Sequence, residues 1–233
     1  MTALDVAGPR LTEALLEQPS LTLEFYSYGV LLRKRDGDVI TEYAVDPSQI
    51  ALALAAKVTF DTGLLDEETL LVRQDGVKRL VVEYRSPRKT GLYLDGSDVA
   101  LRVPLPPLLL IRTTTEDKNP QYQVYAVKGR PTTLDTPLFH APLPNVFGSG
   151  SICWGSVQRV TEAVLRGSLL AADWGSLLGS PFGDHACTGK SLSHPQDIRQ
   201  KLIGLEHRKA RVYPKSDLIP VKRTLAQVLG GDQ

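Results

Sequence analysis

Leu143-Pro144-Asn145-Val146-Phe147-Gly148-Ser149-Gly150-Ser151-Ile152-Cys153-Trp154-Gly155 sets one of the chain's two cysteines at the end of a loop shaped by proline and glycine. Ser156 follows as a good helix N-cap, with Val157, Val160 and Val164 on one stripe up to Gly167, so Cys153 is expected just ahead of a helix. Helix N–H groups favour a thiolate at such a position, and the thiolate is the form that attacks acyl groups. Asn145 lies eight residues upstream of the cysteine. If the loop folds back, its side-chain amide can reach toward the sulfur and stabilise the oxyanion of acyl transfer. The spacing leaves two plainer readings open. Most free cysteines are small buried hydrophobes, and an asparagine after proline is often a turn residue.

The loop is part of a longer stretch, residues 129–156, with four prolines, four glycines and no helical period. Loops of this length inside domains usually carry function. Upstream, Leu70–Arg73 and Val77–Tyr84 flank Asp75-Gly76, and Leu92–Leu94 and Val99–Val103 flank Asp95-Gly96. Leu108–Thr113 and Tyr122–Val127 follow. Short strands with Asp-Gly turns predict an antiparallel meander, interrupted where Pro104, Pro106 and Pro107 cannot donate to a ladder. Further upstream, a short helix over 10–17, strands from Leu21 to Val45 around Asp36-Gly37, and a helix from Asp46 through Ala56 are expected. Downstream come an apolar segment from Leu169 to Leu178, a Gly/Ser/Pro-rich stretch over 179–196, and a helix after Asp197 with Ile198, Leu202 and Leu205 on one stripe. Strands and helices segregate, so the fold class is α+β.

Composition excludes several functions. Against 27 basic residues stand 26 acidic ones, a net charge of +1 that offers no handle for nucleic acid. The longest apolar run, Val103–Ile111, contains three prolines and is far short of the ~20 residues that span a bilayer. Residues 1–9 lack the basic start and apolar stretch of a secretory signal, and two cysteines make no disulfide framework, so a reduced, cytoplasmic protein is expected.

Pro144-Asn145, seven intervening residues and a Gly150-Ser-Ile152-Cys153 ending resemble the active-site signature of ubiquitin-conjugating enzymes, in which a His-Pro-Asn triplet precedes the thioester-forming cysteine. Val103-Pro104-Leu105-Pro106-Pro107 resembles that family's Tyr-Pro-x-x-Pro-Pro element. The segments Gly129–Leu138, Ala141–Val146, Ile152–Ser156, Tyr213-Pro214, Leu218–Pro220 and Thr224-Leu225 are most similar to the bacterial branch called prokaryotic ubiquitin-conjugating-like family D, the PRTRC-system protein B family. The resemblance covers roughly residues 64–230. It implies a ubiquitin-conjugating-like fold with an antiparallel meander, flanking helices and a long active-site loop. It divides the chain into an N-terminal helix/strand extension over 1–63 packed on the core, a core over 64–178 and a C-terminal helical extension over 179–233, together one compact unit. It also implies a ubiquitin-like modifier carried as a thioester on Cys153, a ThiF-type adenylating enzyme that supplies it, a JAB-type isopeptidase in the same pathway, and no metal or other cofactor. It further implies an operon setting linked to plasmids or to antiviral defence. One departure stands out: the triplet's histidine, which supports the loop by hydrogen bonds in conjugating enzymes, is Leu143 here.

Around this core, His140 is a possible substitute for the missing histidine or an ordinary structural residue. Asp184-His185-Ala186-Cys187 lacks the ligands of a structural zinc site; it is either a polar loop or a segment over the active site whose Asp184 or His185 orients or deprotonates an attacking amine. Trp154 is a docking surface for the incoming modifier or the anchor of the loop, and Trp174 is expected in the core. The Gly230-Gly231 tail is like that of a modifier but reads better as a helix end. Two other functions stay open: a non-catalytic binding module of the same shape, and a cysteine hydrolase pairing Cys153 with His140 or His185.

Overall fold

The computed structural model describes residues 19–55, 62–76, 78–115, 118–155 and 168–230. The helices expected over 10–17 and after Ser156, and Gly231 of the tail, lie outside the described residues. The chain forms two units, one within residues 1–61 and one within 62–233. In the first, β1 (Leu21–Tyr26), β2 (Gly29–Asp36) and β3 (Val39–Val45) make a three-stranded antiparallel sheet in chain order. Asp36 pairs with Val39 across a two-residue turn, where Gly37 takes the positive φ (61°) that a tight hairpin of this hand requires. Helix α1 (Pro47–Ala55) starts as its sequence predicts, with the Asp46 carboxylate accepting the Ser48 N–H at 2.8 Å.

In the second unit β4 (Thr69–Asp75), β5 (Lys78–Arg85), β6 (Arg88–Leu94), β7 (Leu101–Leu105), β8 (Leu108–Thr115), β9 (Lys118–Ala126) and β10 (Pro137–His140) precede α2 (Ala171–Gly179). Then come β11 (Pro181–Phe182), α3 (Ile198–His207), a 3-10 turn (Lys215–Asp217), β12 (Pro220–Thr224) and α4 (Leu225–Gly230). The main sheet runs β12-β10-β9-β8-β5-β4, every pair antiparallel. Its strands alternate between two cores. Val81, Leu108, Leu110 and Val124 face α2 and α3, packing with Trp174, Leu177, Ile198 and Leu202. Leu80, Val82, Leu109, Ile111 and Tyr125 face the other way, with Leu225 and Leu229 of α4. Leu108–Ile111 is therefore unbroken apolar sequence because both faces of the sheet are covered.

The expected meander needs one correction. β5 pairs directly with β8, from Lys78–Thr115 to Arg85–Leu108. β6 and β7 leave the main sheet and form a separate hairpin with β11 parallel to β6. The Asp95-Gly96 pair does not make a tight hairpin. The last β6–β7 pair is Leu92–Leu101, and the Asp95 N–H turns instead to the Phe182 carbonyl at 2.9 Å. A turn dipeptide signals only that the chain bends; here β11, distant in sequence, takes the donor. The break at Pro106-Pro107 lies where missing N–H groups put it, and Pro104 is tolerated because β7 is an edge strand. The stretch over 129–156 also contains β10, wedged between β9 and β12.

Buried charge ties the helices to the sheet. Glu83, fully buried on β5, accepts the Leu170 N–H at 2.6 Å, the Ser168 hydroxyl at 2.8 Å and the Trp174 indole N–H at 3.2 Å. This fixes the start of α2, and burial raises the carboxyl above its usual range. Asp173 accepts from the Tyr122 hydroxyl at 2.8 Å and from Arg112 at 2.9 Å. Asp217 accepts from the Ser191 hydroxyl at 2.6 Å, the Ser193 N–H at 2.8 Å and the Tyr213 hydroxyl at 3.2 Å, with the Lys201 ammonium 3.2 Å away.

Burial alone would raise the Asp217 carboxyl, but the hydrogen bonds from Ser191, Ser193 and Lys201 outweigh it and hold the group at about 2. Its folded pKa thus lies below the unfolded value near 4. The stability it confers is present above pH 4 and lost as the pH falls toward 2, on the order of 2 kcal/mol. Urea denaturation between pH 5 and 2 should show a flatter pH slope in Asp217→Asn than in the wild type; equal slopes would refute the assignment.

The candidate active-site loop

Asn145 and Cys153 close the base of one loop. The chain passes through buried Leu143 and Pro144 and turns at Asn145, whose φ of +58° is a left-handed conformation that asparagine tolerates better than most residues. The Cys153 N–H donates to the Asn145 carbonyl at 2.7 Å. Val146 and Ile152 form an antiparallel bridge above that bond, and the Phe147 N–H meets the Ser151 carbonyl at 2.8 Å. The fold-back that the sequence made conditional is therefore present, and Cys153 emerges from it half-buried with a free thiol.

The sheet supports the loop from one side. The Val124 N–H donates to the Gly150 carbonyl at 2.8 Å, Gln123 bridges to Ser151, and the Tyr125 hydroxyl donates to the Ser149 carbonyl. Gly150 has a φ of +86° and lies against the Tyr125 ring, so that a Cβ there would stand 2.7 Å from the phenolic oxygen. Only glycine satisfies both demands.

The chain after α2 supports it from the other side. The Asn145 N–H donates to the His185 carbonyl at 2.9 Å and its side-chain amide to the Pro181 carbonyl at 3.3 Å, while its side-chain oxygen is buried with no hydrogen-bond partner among the described residues. Asp184 and His185 are exposed on this turn, and the His185 backbone holds it to Asn145. His140 sits at the end of β10, half-buried, with its N–H on the Ile219 carbonyl. Burial, with some help from the nearby Lys190 charge, pushes its imidazole below the usual histidine range. Trp154 is half-buried, edge-on to Tyr122 at 5.1 Å between ring centres, and packs against the larger core. Cys187 is buried and free, its sulfur 3.7 Å from the Gly183 and His185 carbonyls, and burial raises its thiol. Among the described residues no group of three or more His, Cys, Asp or Glu side chains could hold a metal ion, and no helix is long and apolar enough to cross a membrane.

The family model for prokaryotic E2 family D matches residues 48–221. The chain belongs to prokaryotic E2 family D. Neither the curated proteins nor the solved structures gave a significant match. Membership of this E2-like family gives the chain a ubiquitin-like conjugation context. In this E2-like chain Leu143 stands where the conjugating enzymes' histidine would be, and it is wholly buried in the larger core. The loop's support comes from elsewhere. The Lys190 ammonium, on a residue only 2% exposed, donates to the Leu143 and Val146 carbonyls. Sequence reasoning missed Lys190. Its Gly-Lys-Ser setting in a Gly/Ser/Pro-rich stretch is that of a surface lysine, and no local pattern marks a lysine that turns inward.

Gly150 gives the sharpest test of this geometry. Gly150→Ala should cost about 2 kcal/mol or more in chemical denaturation, because strain at positive φ adds to the clash with Tyr125. A loss below about 0.5 kcal/mol, the level of a neutral surface substitution, would contradict the described packing.

Proposed function

We propose that the protein is a ubiquitin-like-protein conjugating enzyme that carries its modifier as a thioester on Cys153. The observation that carries this reading is the closed loop, in which the Cys153 N–H binds the Asn145 carbonyl and the thiol stays free and partly accessible. A ThiF-type adenylating enzyme would present the C-terminal glycine of the modifier. The Cys153 thiolate attacks that carbonyl, a carbon–sulfur bond forms, and the activating enzyme's group leaves. An acceptor amine that has lost its ammonium proton then attacks the thioester; the carbon–nitrogen bond forms, the carbon–sulfur bond breaks with Cys153 leaving as thiolate, and the nitrogen gives up its second proton to a nearby base or to water. Each step passes through an oxyanion that an amide N–H of Asn145 would stabilise. One such N–H already serves the Pro181 carbonyl, so the second, or a small rotation, meets the oxyanion. Asp184 and His185, exposed beside Asn145, would orient the amine or take its proton, with His140 in support. The contacts of Trp154 favour an anchoring role over a docking one. A JAB-type isopeptidase would reverse the conjugation, and the setting would be cytoplasmic.

A hydrolase finds less support. It needs a base in hydrogen-bond reach of sulfur. The hydrogen bonds of His140 and His185 run through their backbones, and among the described residues no imidazole is hydrogen-bonded to Cys153. A non-catalytic binding module draws its support from Leu143, buried where the signature has histidine.

Incubation with the activating enzyme, ATP and modifier should give an adduct that DTT removes, and Cys153→Ser should give none that DTT removes. A wild type that charges no better than Cys153→Ser overturns the thioester reading. Modifier binding unchanged in Cys153→Ala, with no charging of the wild type, favours the binding module. Asn145→Gly keeps the left-handed backbone but deletes the amide, so discharge to an amine should slow about 100-fold, the effect of losing one oxyanion donor. Unchanged discharge removes Asn145 from the mechanism.

A further inference from the structure

We infer that Lys190 is a positioning residue for this site: its buried ammonium clamps the carbonyls on either side of Asn145 and so keeps Asn145 in the left-handed turn that sets it against Cys153. The inference rests on the proposed role of Cys153 for its catalytic meaning, but the clamp itself stands on geometry.

The two carbonyls that Lys190 binds belong to Leu143 and Val146, which bracket the turn. A left-handed non-glycine residue costs free energy and persists only where its surroundings over-determine it. Around the Asn145 backbone three constraints converge, beside the side-chain bond to Pro181. Its N–H is taken by the His185 carbonyl, its carbonyl by the Cys153 N–H, and the flanking carbonyls by one ammonium. Among the described residues only the last acts on both sides of the turn at once. Without it two carbonyls would lose their donor in a region where Leu143, Pro144 and Val146 are all buried, and the turn would relax to recover partners.

The arrangement is also expensive, which argues that it is not incidental. Among the described residues no carboxylate pairs with Lys190, in contrast to Lys201, which is equally buried but meets Asp217. Desolvation pushes the Lys190 ammonium down to about 8, with only the Cys187 thiol pulling the other way. A hydrophobic side chain would fill the space at lower cost. What it could not supply is several donors from one point to two converging carbonyls.

The test reads the turn without relying on conjugation chemistry. Native Cys153 is alkylated with iodoacetamide and its peptide quantified by mass spectrometry, in the wild type, Lys190→Met, Asn145→Gly and the double variant. Glycine enters the left-handed region freely, so the clamp should matter only when residue 145 carries a side chain. Lys190→Met should change the alkylation rate at least fivefold beside Asn145 and less than twofold beside Asn145→Gly. A folded Lys190→Met with an unchanged rate, or an equal effect in both backgrounds, overturns the inference. If Lys190→Met does not fold, amide exchange of the Cys153 N–H in Lys190→Gln carries the test: tenfold faster exchange supports the clamp and unchanged exchange overturns it. Failure of the wild type to charge with a modifier would sink the thioester reading and leave these results standing.

Discussion

The left-handed turn at Asn145 is the constraint around which the candidate site is organised. It brings residues 145 and 153 together and sends the chain back along the end of β9, and it is held by groups from three separate parts of the chain. The sheet contributes through Val124 and Tyr125, β11 and the turn after it through the Pro181 and His185 carbonyls, and the segment before α3 through Lys190. None of these would hold the turn alone. Their convergence lets a loop rich in glycine and proline keep one shape without regular secondary structure.

The main sheet makes that convergence possible. Both of its faces are covered, by α2 and α3 on one side and α4 on the other, so its central strands β5, β8 and β9 are a rigid base, and the loop is built against β9. The excursion of β6 and β7 has a functional consequence. It lets β11 pair with β6, which presents the Pro181 carbonyl to the Asn145 amide. The correction to the meander and the support of the site are thus one structural fact.

Much of the central fold was legible in the chain because its signals are local. The β4–β5 hairpin follows from alternation around Asp75-Gly76, and α3 from the Asp197 cap, whose carboxylate accepts the Arg199 N–H at 2.9 Å. β8 and β9 were expected, but β8 runs on to Thr115 and β9 already starts at Lys118, since the intervening sequence Glu116-Asp117 has no Gly or Pro to announce a boundary. β10 and β12 were not expected. Each is four or five residues long and begins with proline, and each is satisfied by a partner more than 80 residues away, as Pro137 is by Thr224. A strand so short carries no period of its own, and only the ladder defines it.

The same division applies to the site. The residue types and spacing of Pro144, Asn145, Gly150 and Cys153 were enough to single out the loop and to offer acyl-transfer chemistry beside plainer readings, and with segments such as Val103–Pro107 and Gly129–Leu138 their resemblance pointed to the family, because those signals are covalent neighbours or nearly so. What tertiary structure decided is how the loop is held. The glycine at 150 answers to Tyr125, the amide of Asn145 to Pro181, and the loop carbonyls to a lysine that the local sequence presents as an exposed one. Contacts between groups 25 to 47 residues apart leave no periodic trace in a sequence, since their free energy depends on where folding places the partners and on the water it excludes.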